Sequence, residues 1–154
     1  MAGAPSPIPA AQRNCAFCGI AQGSLEAWIV FQDDRCLAFL DRRPLFPGHC
    51  LLIPRDHYGT LRDLPEEEIA QFFSRARLVG RAVEEAMGAE GMFLAINDKV
   101  SQSVAHLHLH LVPRRRKDGL KGFFWPRHLY RDEEEALGIQ RRLHERIDRL
   151  VAGL

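Results

Sequence analysis

The sequence predicts an α+β fold, a mainly antiparallel sheet of about five strands with one long helix and a C-terminal helix. Three observations carry it. Short apolar runs bounded by turn-forming residues read as strands: "WIVFQ" (28–32), "CLAFLD" (36–41), "HCLLIP" (49–54), "GMFLAIN" (91–97) and "AHLHLHLVP" (105–113). Between the third and fourth runs, Ile69, Phe72, Phe73, Ala76, Val79, Val83 and Met87 recur at three- and four-residue spacing, the apolar stripe of a helix. Strands gathered on either side of one helix, rather than alternating with several, mark an α+β chain.

The elements follow in order. Residues 1–10, "MAGAPSPIPA", read as a flexible lead-in, and 11–21 as a short helix or knuckle around "CAFC". Asp33, Asp34 and Arg35 make the turn between the first two strands. "RRPLFPGH" (42–49), with two prolines and a glycine, must be a loop, and Pro54 ends the third strand. Pro65 followed by Glu66, Glu67 and Glu68 suits the first turn of the long helix, where acidic groups face the positive end of the dipole; Gly88 is its stop. Asp132 and Glu135 resemble a capping box, with Ala136, Ile139, Leu143, Ile147 and Leu150 on one face of a last helix. The expected division is a lead-in at 1–10, a domain at 11–125 and a C-terminal extension at 126–154.

The totals bound the function. A chain of 154 residues, 46% hydrophobic and 27% charged, is long enough to bury one core without staples. A formal net charge of +1 argues against the whole protein being a nucleic-acid or membrane-surface binder. No apolar run reaches membrane-spanning length, and the N-terminus lacks the charged and apolar regions of an export signal, so the expected compartment is the cytoplasm. In that compartment the four cysteines are thiols or metal ligands rather than disulfides.

His106, His108 and His110 stand at alternate positions, which in a strand places them on one face and Leu107, Leu109 and Leu111 on the other. Two chemistries fit. Alternate histidines can hold a catalytic zinc with one open position. Alternatively, one neutral imidazole attacks an electrophile while its neighbours fix its tautomer and bind developing negative charge. Spacing does not choose between them.

The flanking sequence does. Over "FQDDRCLAFLDRRPLFPGHCLLIPRDH" (31–57) and "INDKVSQSVAHLHLHLVPR" (96–114), the chain resembles the histidine triad family of nucleotide-binding hydrolases and transferases. Its signature alternates histidine with apolar residues, and "HLHLHLV" (106–112) matches it in full; the resemblance spans roughly residues 15–125. The resemblance implies a homodimer whose sheets join edge to edge. It also implies cleavage of a phosphoanhydride, ester or phosphoramidate at the α-phosphate of a nucleotide through a nucleotidyl-histidine intermediate. His108 would be the nucleophile, its second nitrogen donating to a backbone carbonyl, and His110 would hydrogen-bond the phosphate. Ser101, Gln102 and Ser103 would cradle the phosphate, Ser103 within the catalytic group. Asn97 and His49 match polar residues of the family's active site, and Asp41 the carboxylate that receives the ribose hydroxyls. One departure stands out: many members carry glycines between the asparagine and the triad, whereas "NDKVSQSV" (97–104) has none.

Cys15 and Cys18 form a C-x-x-C pair without the context of a redox motif. By the same resemblance they join His57 and His106 in a closed Cys2His2 set that would hold a structural Zn²⁺. Cys36 and Cys50, in apolar strands, read as buried thiols. Arg114, Arg115, Arg116 and Lys117, followed by Phe123, Phe124 and Trp125, admit three readings: a nucleic-acid contact, a solvated turn, or attraction of a polyphosphate to the site. The basic stretch and the extra C-terminal helix resemble the branch of the family acting on dinucleoside polyphosphates, which favours such a substrate. The competing classes are a three-histidine metallohydrolase and a non-catalytic nucleotide sensor or RNA-binding module; nucleic acid is not a required partner.

Overall fold

The computed structural model describes residues 14–121 and 129–153. The expected lead-in at 1–10 and Phe123, Phe124 and Trp125 lie outside the described residues. The chain falls into two units, one up to Asp118 and one from Gly119 onward.

The first unit runs α1 (Ala16–Ala21), β1 (Ile29–Gln32), β2 (Cys36–Leu40), β3 (Cys50–Pro54), a single 3-10 turn (Leu61–Asp63), α2 (Glu66–Met87), β4 (Gly91–Ile96) and β5 (Leu109–Arg114). All five strands form one antiparallel sheet in the order β1-β2-β3-β5-β4. The order follows from the connections. β1, β2 and β3 are sequential neighbours joined by short loops. β3 and β4, both antiparallel to β5, point the same way and need a long crossover. α2 provides it and leaves a slot that β5 fills.

α2 begins behind Pro65 with three glutamates in its first turn and ends at Gly88, whose φ of 57° is the left-handed conformation that glycine adopts at low cost. It buries Phe72, Ala76, Val79, Gly80 and Val83. Ile69 and Phe73, expected in that stripe, are 38% and 42% exposed and flank it instead, so the contact strip is narrower than the sequence pattern. Full burial of a side chain like Phe72 contributes about 1.5–3 kcal/mol.

The sheet has two covered faces. On one, Cys36, Ala38, Cys50, Leu52, Leu107, Leu109 and Leu111 pack under α2. On the other, Leu37, Phe39, Leu51 and Ile53 pack with Phe17 of α1. Cys36 and Cys50 are buried free thiols, as the sequence predicts, and burial pushes each up to about 11.

The strand expected at 105–113 is a correction. Its ladder begins at Leu109, so His106 and His108 precede it. The β3–β5 register, Leu52 opposite Leu109, sets Pro54 opposite Leu107, and proline has no N–H to give. The Leu107 N–H donates to Tyr58 O (2.6 Å) instead, and His106 N–H to Val104 O (2.8 Å). The alternation of faces nevertheless continues through the unladdered residues, because Leu107 stays in the core beneath α2.

In the second unit, α3 (Glu133–Val151) is capped by Asp132, whose side chain accepts from Glu135 N–H at 2.8 Å. The Glu135 carboxylate reaches back one residue further than a capping box requires, to Arg131 N–H (2.6 Å). No residue of α3 is buried, and Leu143, Ile147 and Leu150 are exposed. Among the described residues, no helix is long and apolar enough to cross a membrane.

Candidate active site

The histidine face is not open to solvent. α1 and the segment after it lie over it, leaving His106 0% and His108 2% exposed, while His110 is half-buried. Phe17 sets its edge against both rings, with centroids 6.0 Å from His106 and 5.2 Å from His108. The sequence reading missed Phe17. Its only signal was its position between the two cysteines.

Backbone acceptors assign the tautomers. His108 Nδ1 lies 2.7 Å from His106 O, and a carbonyl can only accept, so the proton is on Nδ1 and the lone pair on Nε2. His106 Nε2 lies 2.9 Å from Pro54 O and is likewise the protonated nitrogen. The His106 lone pair is therefore on Nδ1, which faces Cys15 Sγ and Cys18 Sγ at 3.5 Å each. His57 Nδ1 is 3.2 Å from Cys18 Sγ. Cys15 also serves as the N-cap of α1, which points both sulfurs the same way.

These donors fit a zinc ion. Cys15, Cys18, His57 and His106 each offer one ligand atom, all within 4.8 Å of one another. Tetrahedral zinc with bonds of ~2.3 Å to sulfur and ~2.0 Å to nitrogen has sulfur–nitrogen edges of about 3.5 Å. Burial, with Cys15 alongside, pushes the Cys18 thiol up to about 12, so a cation is what such a pair needs to ionise. The three triad histidines, by contrast, do not converge: His106 turns to the cysteines, and His110 groups with Asp41 and His49. The three-histidine metallohydrolase loses its geometry.

The remaining predicted residues lie at the end of β2, just after β4 and on the loop before the triad. Asp41 is half-buried at the end of β2, its Oδ1 accepting from Arg43 N–H at 2.8 Å. Asn97, half-buried, follows β4. Ser101 and Ser103 are exposed on the loop leading to the triad. Gln102 clamps that loop: its amide nitrogen donates to Gly59 O (2.7 Å) and its oxygen accepts from Lys99 N–H (3.0 Å). The missing glycines are explained here. Lys99 and Ser101 adopt φ of 66° and 59°, the left-handed conformation, at a cost of about 1–2 kcal/mol per residue. The clamp holds the backbone where glycine would have taken it freely.

His49 is 3% exposed; its Nδ1 accepts from Leu45 N–H (3.1 Å) and its Nε2 lies 3.0 Å from His110 Nδ1. Two side chains of the basic stretch have partners of their own. Arg114 pairs with Asp118 (2.5 and 3.0 Å), and Arg115 donates to Met87 O at the end of α2. Arg114 lies four positions beyond His110, roughly 13 Å along a strand.

Burial holds His110 to about 4, with the charges of His108 and His49 adding to the effect; His49 too is lowered by burial, against the pull of Asp41. A histidine whose folded value lies below its ordinary 6.5 contributes stability above that value and loses it as the pH falls toward 4. We expect the urea midpoint to fall across that window and to fall less in His110→Gln. A pH-independent midpoint would contradict a buried neutral His110.

Comparison with known proteins shows the family and the fold. The family model described as the HIT domain matches residues 22–117. The adenylylsulfatase HINT3 of Arabidopsis thaliana is 36% identical over 111 residues, which are 71% of this chain and 56% of that protein. The chain thus spans little more than half the length of that relative. A crystal structure of a HIT family member from Bacillus subtilis superposes with a TM-score of 0.77 at 33% identity, covering 86% of this chain and 96% of that one. A Zn-bound histidine triad family protein from Mycobacterium smegmatis gives a TM-score of 0.67 at 37% identity, covering 82% and 91%.

Proposed function

Because the chain belongs to the histidine triad family, we propose that it is a nucleotide-binding hydrolase or nucleotidyltransferase acting at an α-phosphate through His108. The observation that carries this reading is the 2.7 Å hydrogen bond from His108 Nδ1–H to His106 O. It places the proton of the neutral imidazole on Nδ1 and so leaves the Nε2 lone pair for attack. Nε2 bonds to the α-phosphorus as the bond to the leaving group breaks and its electron pair departs with that group. Water then displaces the histidine, returning the lone pair to Nε2 and releasing the nucleoside monophosphate; in a transferase another nucleophile takes the place of water. His110 and the loop of Ser101, Gln102 and Ser103 would bind the phosphoryl oxygens. Asp41 would receive the ribose hydroxyls. Next to it in sequence, Arg42 borders a recess lined by Leu25, Ala27, Trp28 and Ile29, an apolar surface on which a base could rest. Trp28 is 64% exposed and was not singled out from sequence.

Cys15, Cys18, His57 and His106 would hold a zinc ion; with four protein ligands it leaves no open position and serves as a cross-link. The proposed homodimer extends the sheet through β4, an edge strand on which Leu94 is 49% exposed.

The test is a panel of adenylyl sulfate, an adenosine phosphoramidate and diadenosine polyphosphates, the first included because one relative is an adenylylsulfatase. We expect turnover of at least one member. Mass spectrometry of protein quenched during turnover should find one nucleotidyl group on the peptide bearing His108. Tight binding with no hydrolysis of any member would make the protein a sensor. Turnover with no covalent adduct, undiminished in His108→Ala, would overturn the mechanism.

A further inference from the structure

The loop between β4 and β5 holds a conformation that its own residues disfavour. Lys99 and Ser101 both sit at positive φ, 66° and 59°, and neither is a glycine. Within the loop, Val100 N–H bonds to Asp98 O at 2.7 Å and tightens the turn. Two further bonds reach outside it. Asp98 Oδ1 accepts from Leu61 N–H at 3.2 Å, and the Gln102 amide nitrogen donates to Gly59 O at 2.7 Å. The oxygen of the same amide accepts from Lys99 N–H at 3.0 Å. One side chain thus grips both a strained residue and the neighbouring segment.

That segment is itself well held. Thr60, between Gly59 and Leu61, is buried, and its N–H and hydroxyl both donate to Asp63 Oδ2, at 2.9 and 2.8 Å, closing the 3-10 turn. Tyr58 O accepts from Leu107 N–H, so the same segment also holds the backbone between His106 and His108. Resting on the function proposed above, we infer that Gln102 and Asp98 are positioning residues. They are two catches that fasten the β4–β5 loop to the 59–61 segment and keep at positive φ the backbone that would meet the phosphate. The Gln102 amide is engaged with the protein at both ends, which leaves phosphate binding to backbone N–H groups and to Ser101 and Ser103. The loop is thereby preorganised: its strain is met on folding, not when phosphoryl charge builds.

The experiment reads the loop directly. At positive φ a residue's own N–H and Hα protons come close, which gives a strong intraresidue cross-peak in nuclear Overhauser spectra of ¹⁵N-labelled protein. Wild type should show that peak at Lys99 and Ser101. Gln102→Met fills the space but makes neither bond. It should weaken both peaks and lower kcat/KM on the best panel substrate by about tenfold. Glycine at the strained positions removes the need for a catch. In a Lys99→Gly, Ser101→Gly background, the same Gln102→Met change should therefore lower kcat/KM several-fold less than it does in wild type. Asp98→Ala should weaken the Lys99 peak as well, and its spectrum decides should Gln102→Met fail to fold. A wild type without the strong peaks, or peaks that persist unchanged in the variants, would overturn the inference. So would an equal loss of kcat/KM in the two backgrounds, which would make Gln102 a phosphate ligand or a packing residue. The spectra need no turnover, so they stand apart from failure of the proposed reaction.

Discussion

His108→Asn is expected to lower turnover by on the order of 10⁴-fold or more while leaving nucleotide affinity within a few-fold of wild type. Asparagine can still donate toward His106 O but has no lone pair that attacks phosphorus. Removing the group that forms the bond forfeits the covalent route, whereas His110, the loop and Asp41 continue to bind. Equilibrium binding of a non-hydrolysable nucleotide beside single-turnover kinetics separates the two effects. A variant that loses both in parallel would make His108 a packing residue; it is 2% exposed and rests against Phe17, so the control matters.

The second large effect concerns the Cys2His2 cluster. Purified protein should contain one zinc per chain, and Cys18→Ser or strong chelation should remove it and lower Tm by on the order of 10 °C. Cys15 and Cys18 flank Phe17, the residue that seals the second face of the sheet, and His57 follows β3. A bound ion ties these segments to His106, so its loss releases the cover over the triad. Because His106 O is the acceptor for His108 Nδ1–H, kcat should fall with the metal although no reacting atom touches it. Protein that lacks metal and melts at the same temperature with or without chelator would show the cluster to be four satisfied side chains.

Much of this was legible in one dimension. Periodicity located α2 and α3, and glycine and proline marked where elements stop, because those signals are local: a stripe, a cap, a missing N–H. The triad was visible for the same reason, since alternation along an extended chain holds whether or not a ladder forms. The start of β5 was not visible. It depends on Pro54, more than fifty residues away in sequence and brought opposite Leu107 by register alone. Strand order was equally hidden, being set by the crossover through α2.

The sequence by itself therefore determined which residues are candidates for the chemistry, through the histidine spacing, the cysteine pair and the motifs around them. Only the tertiary structure decided what each histidine can do. A ring's role depends on which nitrogen holds its proton, and that is chosen by the carbonyl or amide the fold sets against it. Pro54 O turns His106 toward the cysteines, and His106 O leaves Nε2 of His108 with the lone pair.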